Sequence, residues 1–396
     1  VAEDRPRRAL FLGTHSFVDG GLKVGIQHLA EGFAARGWQV DYVATASSVF
    51  DLWGAQRRPR LKRVWGGGQD RRGTPIAPGL DEYAFKALIP AHKLFLRGEW
   101  QLPSFAWLLP AWVRERDYAL CMHETSPNVI YRPWVRARTS IFRLSDLPAG
   151  FSHDLHPVLI RQLEHGLREG DYDEVWAVSA SLRDHAMSLG PSPAVLLPNG
   201  VEAGPFRQRH PVARRPNSAV FLGSVSEWVD VELLHAAARL LPEWTFDIHG
   251  PVSRPLPGGG APNVRFHGAL APEAIPGMLA GCEVGLIPFR ETGDLTRHIE
   301  RPLKFYEYVA AGLGIASTDI GGLRLGMGAF ASYGSSPAAF AAAVMEARAA
   351  GAARGRDVIE AFLAQHSWES IVDQAHARVE ALLRRERGPV SRRERA

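Results

Sequence analysis

Cysteine is nearly absent: 396 residues contain only Cys121 and Cys282. Each sits in an apolar run, YALCM or LAGCEVGLI, so both are expected as buried free thiols in a reducing compartment rather than as a disulfide framework. Long apolar runs are lacking too. No uncharged stretch approaches the roughly 20 residues that a membrane-spanning helix needs. The opening VAEDRPRRALFLG has charges before a short apolar run, but no small-residue cleavage site follows. That run reads as a buried strand, and the chain as cytoplasmic. Neither sign of charge dominates, with 46 Lys and Arg against 42 Asp and Glu. The positive charge is concentrated instead, in RRPRLKRVWGGGQDRR (57–72) and in the tail LLRRERGPVSRRERA. What remains is a soluble globular composition, 46% hydrophobic and 22% charged, long enough for two or three domains.

Two stretches share one grammar of strand, glycine-containing turn and helix. ALFLG is an apolar run, THSFVDGG a polar loop, and LKVGIQHLAEGFAARG a helical pattern ending at the C-cap candidate Gly37. WQVDYVAT, YALCMHE, TSIFRLSD and EVWAVSAS then read as strands running into polar tips. The grammar restarts at residue 218 with SAVFLGS, a helix over VDVELLHAAARLLPEW, and the strand-like TFDIHGP, NVRFHG, CEVGLIPF and GIASTD. Alternating strands and helices imply parallel sheets covered on both faces. The fold class is therefore α/β, with two Rossmann-like doubly wound domains in series. LLPNGVEAGPF, 196–206, carries turn signals between them. Ligands bind such sheets beyond the carboxyl ends of the strands, so a cleft between two facing sheets is expected. Independent domains without a shared site are the alternative.

ERPLKFYEYVAAGLG (300–314) decides whether this is an enzyme. Pro302 suits the first turn of a helix. Lys304 and Glu307 then share one face, with Tyr308 four residues after Lys304, while Leu303, Tyr306, Val309 and Ala310 form the apolar stripe. A helix N-terminus beside a lysine suits a phosphate or pyrophosphate, and a carboxylate one turn further can accept from a ribose diol. The same spacing also fits a plain surface ion pair. The preceding strand and polar loop place this helix start at a ligand-binding sheet edge.

The blocks FLGSVSEWVD, LPNGVE and LIPF…LTR…PLKFYEYVAAG resemble the C-terminal domain of bacterial family-4-like glycosyltransferases of the GT-B fold. GTHSF, HETSP, FRLSDLPAGF and VWAVSASL resemble, in order, blocks of the xanthan-type glucuronosyltransferases of family 70. The resemblance covers nearly the whole chain. It implies that Lys304 contacts the donor diphosphate, that Glu307 lies near the ribose, and that Gly223 and Ser224 form the other wall of the donor site with Leu303. Retaining family-4 enzymes carry a second Glu eight residues before the ribose-binding one. Here that position is Ile299, with Glu300 one place off. The departure favours the inverting comparison.

Inversion needs a base for the acceptor hydroxyl. Asp146 ends an apolar strand at its ligand-facing end and matches the catalytic Asp of the resembled R-x-S-D block. The alternative is a cap for the segment that follows. His15 and Glu124 also sit in strand-end loops, as acceptor-side candidates or as residues satisfying their own loops. Arg290, Arg297 and Arg301 crowd the loop before the donor helix, where they either pair with a sugar carboxylate or lie in solvent. The DYD at 171–173 imitates a metal-binding D-x-D but precedes a strand. It reads as solvated, so no metal and no cofactor is expected beyond a UDP-sugar donor substrate.

Residues 83–114 interleave aromatics and leucines with Lys86, Lys93, Arg97 and Arg114. With the basic run before them they suggest an anionic membrane surface, or else core helices with snorkelling cations. The resemblance implies a polyprenyl-diphosphate-linked glycan acceptor at the inner face of the cytoplasmic membrane. No nucleic-acid-binding module accompanies the basic runs. The expected organisation is an acceptor domain over 1–200, a nucleotide-sugar domain over 201–365, a helix over 366–386 crossing back with Trp368 as anchor, and a basic disordered tail over 387–396. The rival readings are a retaining hexosyltransferase, a nucleotide-sugar epimerase of the same fold, and a sugar-nucleotide-binding subunit without activity.

Overall fold

A computed structural model of the chain describes residues 7–19, 23–48, 73–87, 98–103, 109–151, 155–208, 212–256 and 258–385. The basic run 57–72, the tail 387–396 and, within 83–114, residues 88–97 and 104–108 lie outside the described residues. The chain divides into two compact units, one of Val1–Leu197 with the chain from Val372 onward, the other of Pro198–Ile371.

The first unit is built on strands β1 (Arg8–Leu12), β2 (Gln39–Val43), β3 (Thr74–Ala77), β4 (Leu80–Tyr83), β5 (Asp117–Glu124), β6 (Arg136–Leu144), β7 (Glu174–Ala177) and β8 (Ala194–Leu196). Their order is β8-β7-β6-β5-β1-β2-β4-β3, parallel except for the β3–β4 hairpin. The centres of β1, β5 and β7 are buried and mostly apolar, as in a sheet covered on both faces. Helices α1 (Gly25–Ala35), α2 (Pro157–Arg168) and α3 (Ala180–Leu189) follow strands as the sequence grammar requires. α1 stops where Gly37 takes φ +83°, a left-handed conformation that favours glycine. The strand order reverses between β1 and β5, so the crevice beyond their carboxyl ends is the unit's expected ligand position.

The second unit has strands β9 (Ser218–Leu222), β10 (Thr245–His249), β11 (Val264–Gly268), β12 (Val284–Ile287), β13 (Gly314–Ser317) and β14 (Ser332–Tyr333), in the order β11-β10-β9-β12-β13-β14 and all parallel. Its switch point lies between β9 and β12. Helices α4 (Val231–Leu240), α5 (Leu303–Ala310), α6 (Pro337–Ala353) and α7 (Arg356–His366) pack around it. Asp230 caps α4, accepting from the Leu233 N–H at 2.8 Å. β13 approaches α6 closely, since a Cβ on Gly314 would fall 1.8 Å from the Ala347 carbonyl oxygen.

Helix α8 (Trp368–Arg385) starts in the second unit and continues into the first. The Trp368 N–H donates to the Val201 carbonyl at 3.0 Å and its ring lies against Gly200, both in the second unit. The first-unit contacts come from residues further along. Val372 packs on Gly32, His376 Nε2 accepts from Trp38 Nε1 at 3.1 Å, and Arg378 pairs with Glu174.

Candidate functional site

The donor candidates assemble at the switch point of the second unit. Pro302 is the N-cap of α5, in extended conformation, rather than part of its first turn. It supplies no side-chain cap to the first turn, and its carbonyl accepts from the Phe305 N–H at 2.8 Å. Lys304 is the second helical residue. Its ammonium lies 3.9 Å from the Phe221 ring centroid and 4.7 Å from that of Phe289, at the ends of β9 and β12. Gly223 follows β9 at φ +129°, and a Cβ there would come 3.2 Å from Lys304 Nζ. The positive φ favours glycine here, and its missing side chain leaves room beside the lysine. Ser224 follows it, half-buried.

Burial pushes the Lys304 amine down to about 7, against the opposing pull of Glu307. Burial likewise raises the Glu307 carboxyl to about 7, against the charge of Lys304. An arriving diphosphate would favour the ammonium form and supply the anionic partner that this cation lacks in quantity. Tyr308 is not on an exposed face with Lys304. It is fully buried, with its hydroxyl accepting from the Leu222 N–H at 3.0 Å. That bond ties α5 to the end of β9. Leu303 is half-buried, and Phe305 joins Tyr306, Val309 and Ala310 in the apolar face.

The three loop arginines do not form one cluster of free cations. Arg290 Nε donates to the Glu227 carbonyl at 2.7 Å, and Arg301 Nε to the Gly326 carbonyl at 2.6 Å. Arg297 is exposed. Ile299 packs against the core, while Glu300 is buried against Gly322, where a Cβ would meet its Cγ at 2.6 Å.

The acceptor-side candidates assemble at the switch point of the first unit. Glu124 ends β5 and lies in register with Arg143 on β6, and Asp146 follows just beyond the end of β6. Thr14, in the loop after β1, donates its N–H to Glu124 Oε1 at 2.7 Å, closing the crevice across the strand reversal. Arg143 is fully buried, donates to the Leu197 carbonyl at 3.3 Å, and places a positive charge near Glu124. Burial raises the Glu124 carboxyl to about 7 despite the Thr14 bonds and Arg143. Asp146 is raised to about 7 by burial and then by the charge of Glu124. Two coupled carboxyls near neutrality can hold one proton between them, leaving one ready to accept another.

His15 sits on the same loop. Its carbonyl accepts from Tyr42 Oη at 2.8 Å, and loss of solvent lowers the pKa of its ring even though the residue keeps exposed surface. Buried Glu82 fixes this loop by accepting from the Phe17 N–H at 2.6 Å and from the Ser16 hydroxyl. The structure therefore joins Asp146 with Glu124, and Lys304 with Gly223 and Glu307.

In the DYD segment Asp173 is exposed, as expected, and Asp171 half-buried, while the tyrosine between them is not solvated. Asp171 pairs with Arg132, Tyr172 is buried and stacked on Phe142, and Asp173 accepts from the Ser140 N–H at 2.7 Å. Cys121 and Cys282 are free and buried, as expected. Sequence reasoning missed Thr14, Glu82 and Arg143. Only Arg143 left a trace, as a charge inside the apolar strand SIFRL.

Residues 216–349 match the family described as glycosyl transferases group 1. The chain is 26% identical over 108 residues to TuaH of Bacillus subtilis (strain 168), which its name assigns to teichuronic acid biosynthesis as a glycosyltransferase. That match covers 25% of this chain and 26% of the relative, so the chain spans about a quarter of the curated relative's length. Among solved structures, sucrose-phosphate synthase from Thermosynechococcus elongatus matches with TM-score 0.69 and 16% identity, over 96% of this chain and all of that one. HepE from Anabaena, solved with UDP and glucose, matches with TM-score 0.63 and 15% identity, over 95% of this chain and 100% of its own. At such identities the structural likeness speaks for the fold. The two Rossmann-like units with parallel sheets have the fold of GT-B glycosyltransferases, and residues 216–349 carry the likeness to the group 1 glycosyltransferases.

Proposed function

We propose that this chain is an inverting, metal-independent transferase that moves a sugar, with glucuronic acid the favoured case, from UDP to a polyprenyl-diphosphate-linked glycan in polysaccharide biosynthesis. The observation that carries this reading is Lys304 at the open start of α5, held against Gly223 at the switch point of the second unit. A helix terminus and a cation stabilise a leaving diphosphate as it develops charge. Glu307, one turn on, suits a ribose diol. Asp146 is the base and Glu124 its partner, with His15 nearby on the acceptor side. Ile299, an apolar residue packed against the core at the position where a retaining enzyme has a carboxylate, supports inversion. HepE, solved with UDP, supports a uridine donor.

Arg290, Arg297 and Arg301 are the cations available to a uronate near the donor helix, with Arg297 the most exposed of them. The acceptor class and the glucuronosyl donor rest on the family-70 resemblance. Contact with an anionic membrane surface and a cytoplasmic, peripheral location rest on the basic and aromatic runs. Among the described residues no helix is long and apolar enough to cross a membrane. Four segments complete the proposal: an acceptor domain over 1–200, a nucleotide-sugar domain over 201–365, a returning helix over 366–386, and a tail over 387–396.

Thermal unfolding with a panel of UDP- and GDP-sugars tests the donor assignment. A ligand that binds only the native state raises its stability, by about 2.7 kcal/mol at a hundredfold excess over Kd. UDP-sugars should protect, UDP-glucuronic acid most. Protection by GDP-sugars alone would overturn the uridine donor.

A further inference from the structure

The amino ends of β5 and β6 carry a cavity that the proposed transfer leaves unused. Its volume is about 390 Å³, and Arg114, Glu115, Pro133, Trp134, Val135 and Arg136 line it. The short helix Ala111–Glu115 supplies the first two residues, and 3₁₀ turns over Pro127–Trp134 lead into β6 at Arg136. The volume lies at the small end of ligand sites, which run about 300–1,000 Å³. Glu124 and Asp146 stand at the opposite ends of the same two strands. Eight residues of β5, at roughly 3.3 Å each, put about 25 Å between the two ends, so this is not the acceptor crevice.

Three of the lining side chains have binding chemistry and no partner among the described residues. Trp134 is 42% exposed, and its indole makes no ring contact or hydrogen bond there. Arg136 and Glu115 are exposed, and they form an ion pair neither with each other nor with another described residue. The arginines nearby are already used, Arg116 by Asp41 and Arg132 by Asp171. Arg114 is half-buried. An open indole face matches the apolar C–H face of a sugar ring, a guanidinium holds a carboxylate through two parallel bonds, and a carboxylate accepts from hydroxyls. Two arginines against one glutamate leave a single positive charge in the lining, and Asp117, in register with Arg136, is not part of it. That balance suits one carboxylate. It does not suit an anionic bilayer, whose recognition takes clusters of about 4–8 Lys and Arg.

We infer that this cavity is a second glycan site, which holds a uronic acid residue of an anionic polysaccharide. The sugar ring lies on Trp134, its carboxylate is held by Arg136 with the charge of Arg114 in support, and a hydroxyl donates to Glu115. This sugar is distant from the one that reacts, so it belongs to a remote part of a bound chain or to a separate chain. Holding one part of a chain raises the effective concentration of the rest at the protein without touching the chemistry at Asp146. The proposed sugar transfer supplies the source of such a chain, but recognition by the cavity does not depend on it.

Calorimetric titration of the full chain with tri-galacturonic acid, and with its methyl ester as a neutral control, tests the site. The acid should bind at least about tenfold more tightly than the ester, the low end of a charge-assisted contact. Arg136→Gln should remove most of that preference and leave the ester unchanged, and Arg136→Lys should restore part of it. Trp134→Ala should weaken acid and ester alike, by about tenfold, as the loss of roughly 50 Å² of apolar contact would. Both positions are exposed, so the melting temperatures of these variants should match wild type. Asp146→Asn should bind the acid as wild type does. Equal affinity for acid and ester, or wild-type affinity in Arg136→Gln and Trp134→Ala, would overturn the site. So would loss of the acid in Asp146→Asn, which puts the sugar in the acceptor crevice. Trp134-dependent binding of phosphatidylglycerol vesicles without binding of the acid would overturn it too, in favour of a membrane contact. Wild-type protein that binds the acid through Trp134 and Arg136 but transfers no sugar would overturn the proposed function and leave this site standing.

Discussion

Asp146→Asn should fold normally and keep UDP affinity near wild type while transfer falls by roughly 10²–10⁴. Asparagine keeps the size and much of the hydrogen bonding of the carboxylate but cannot accept the acceptor's proton. The size of the loss follows from the environment of Asp146. Burial and the charge of Glu124 raise its carboxyl from 3.8 to about 7, near the operating pH, where a general base is most effective. Wild-type transfer should therefore decline as pH falls through about 7. Stability should respond in the opposite sense. A native pKa above the unfolded one favours the folded state at low pH and loses that advantage as pH rises through the native value. Above about pH 7 the wild type holds a carboxylate where the protein disfavours charge, and the asparagine variant does not. Circular-dichroism melts should then show Asp146→Asn at least as stable as wild type. Near-normal transfer by the folded variant would remove Asp146 as base, and Glu124 and then His15 would be the next to substitute.

Lys304→Ala should weaken UDP binding by on the order of 1.5–3 kcal/mol, the usual cost of a lost charge-assisted contact, and slow transfer with it. The lysine is already partly deprotonated at neutral pH because burial lowers its amine to about 7. A diphosphate needs the ammonium, so wild-type affinity for UDP should weaken as pH rises past about 7. The alanine variant should lose that component of the pH dependence. Glu307→Gln should weaken binding by less, since it removes a charge but keeps an acceptor. Calorimetry at three pH values reads both effects. Unchanged affinity in Lys304→Ala would remove α5 from the donor site.

The parts of this account legible in the sequence are those set by neighbours along the chain. Apolar runs gave β1, β5, β6 and β9, Gly37 gave the end of α1, and Pro302 marked the start of α5 to within one residue. The β3–β4 hairpin went unread, although Pro78-Gly79 lies between its strands. What the sequence hid are contacts made by topology. The Thr14–Glu124 bond spans 110 positions, and it forms only because β1 and β5 become neighbours at the switch point. The DYD segment hid its partners for the same reason: Asp173 is exposed as read, but Arg132 and Ser140, which bond the two aspartates, arrive from neighbouring segments. Trp368 has the composition of an anchor, but its partners Gly200 and Val201 could be known only from the folded second unit.

The central claim is that the chain transfers sugar from a UDP donor to a lipid-linked acceptor. Transfer of radiolabelled sugar from UDP-glucuronic acid and UDP-glucose into the organic-soluble fraction of a bacterial lipid extract tests it most directly. Label should enter that fraction from a UDP-sugar with wild type and nearly vanish with Asp146→Asn and Lys304→Ala. Label that stays water-soluble with every UDP donor, or that transfers equally well with both variants, would contradict the account.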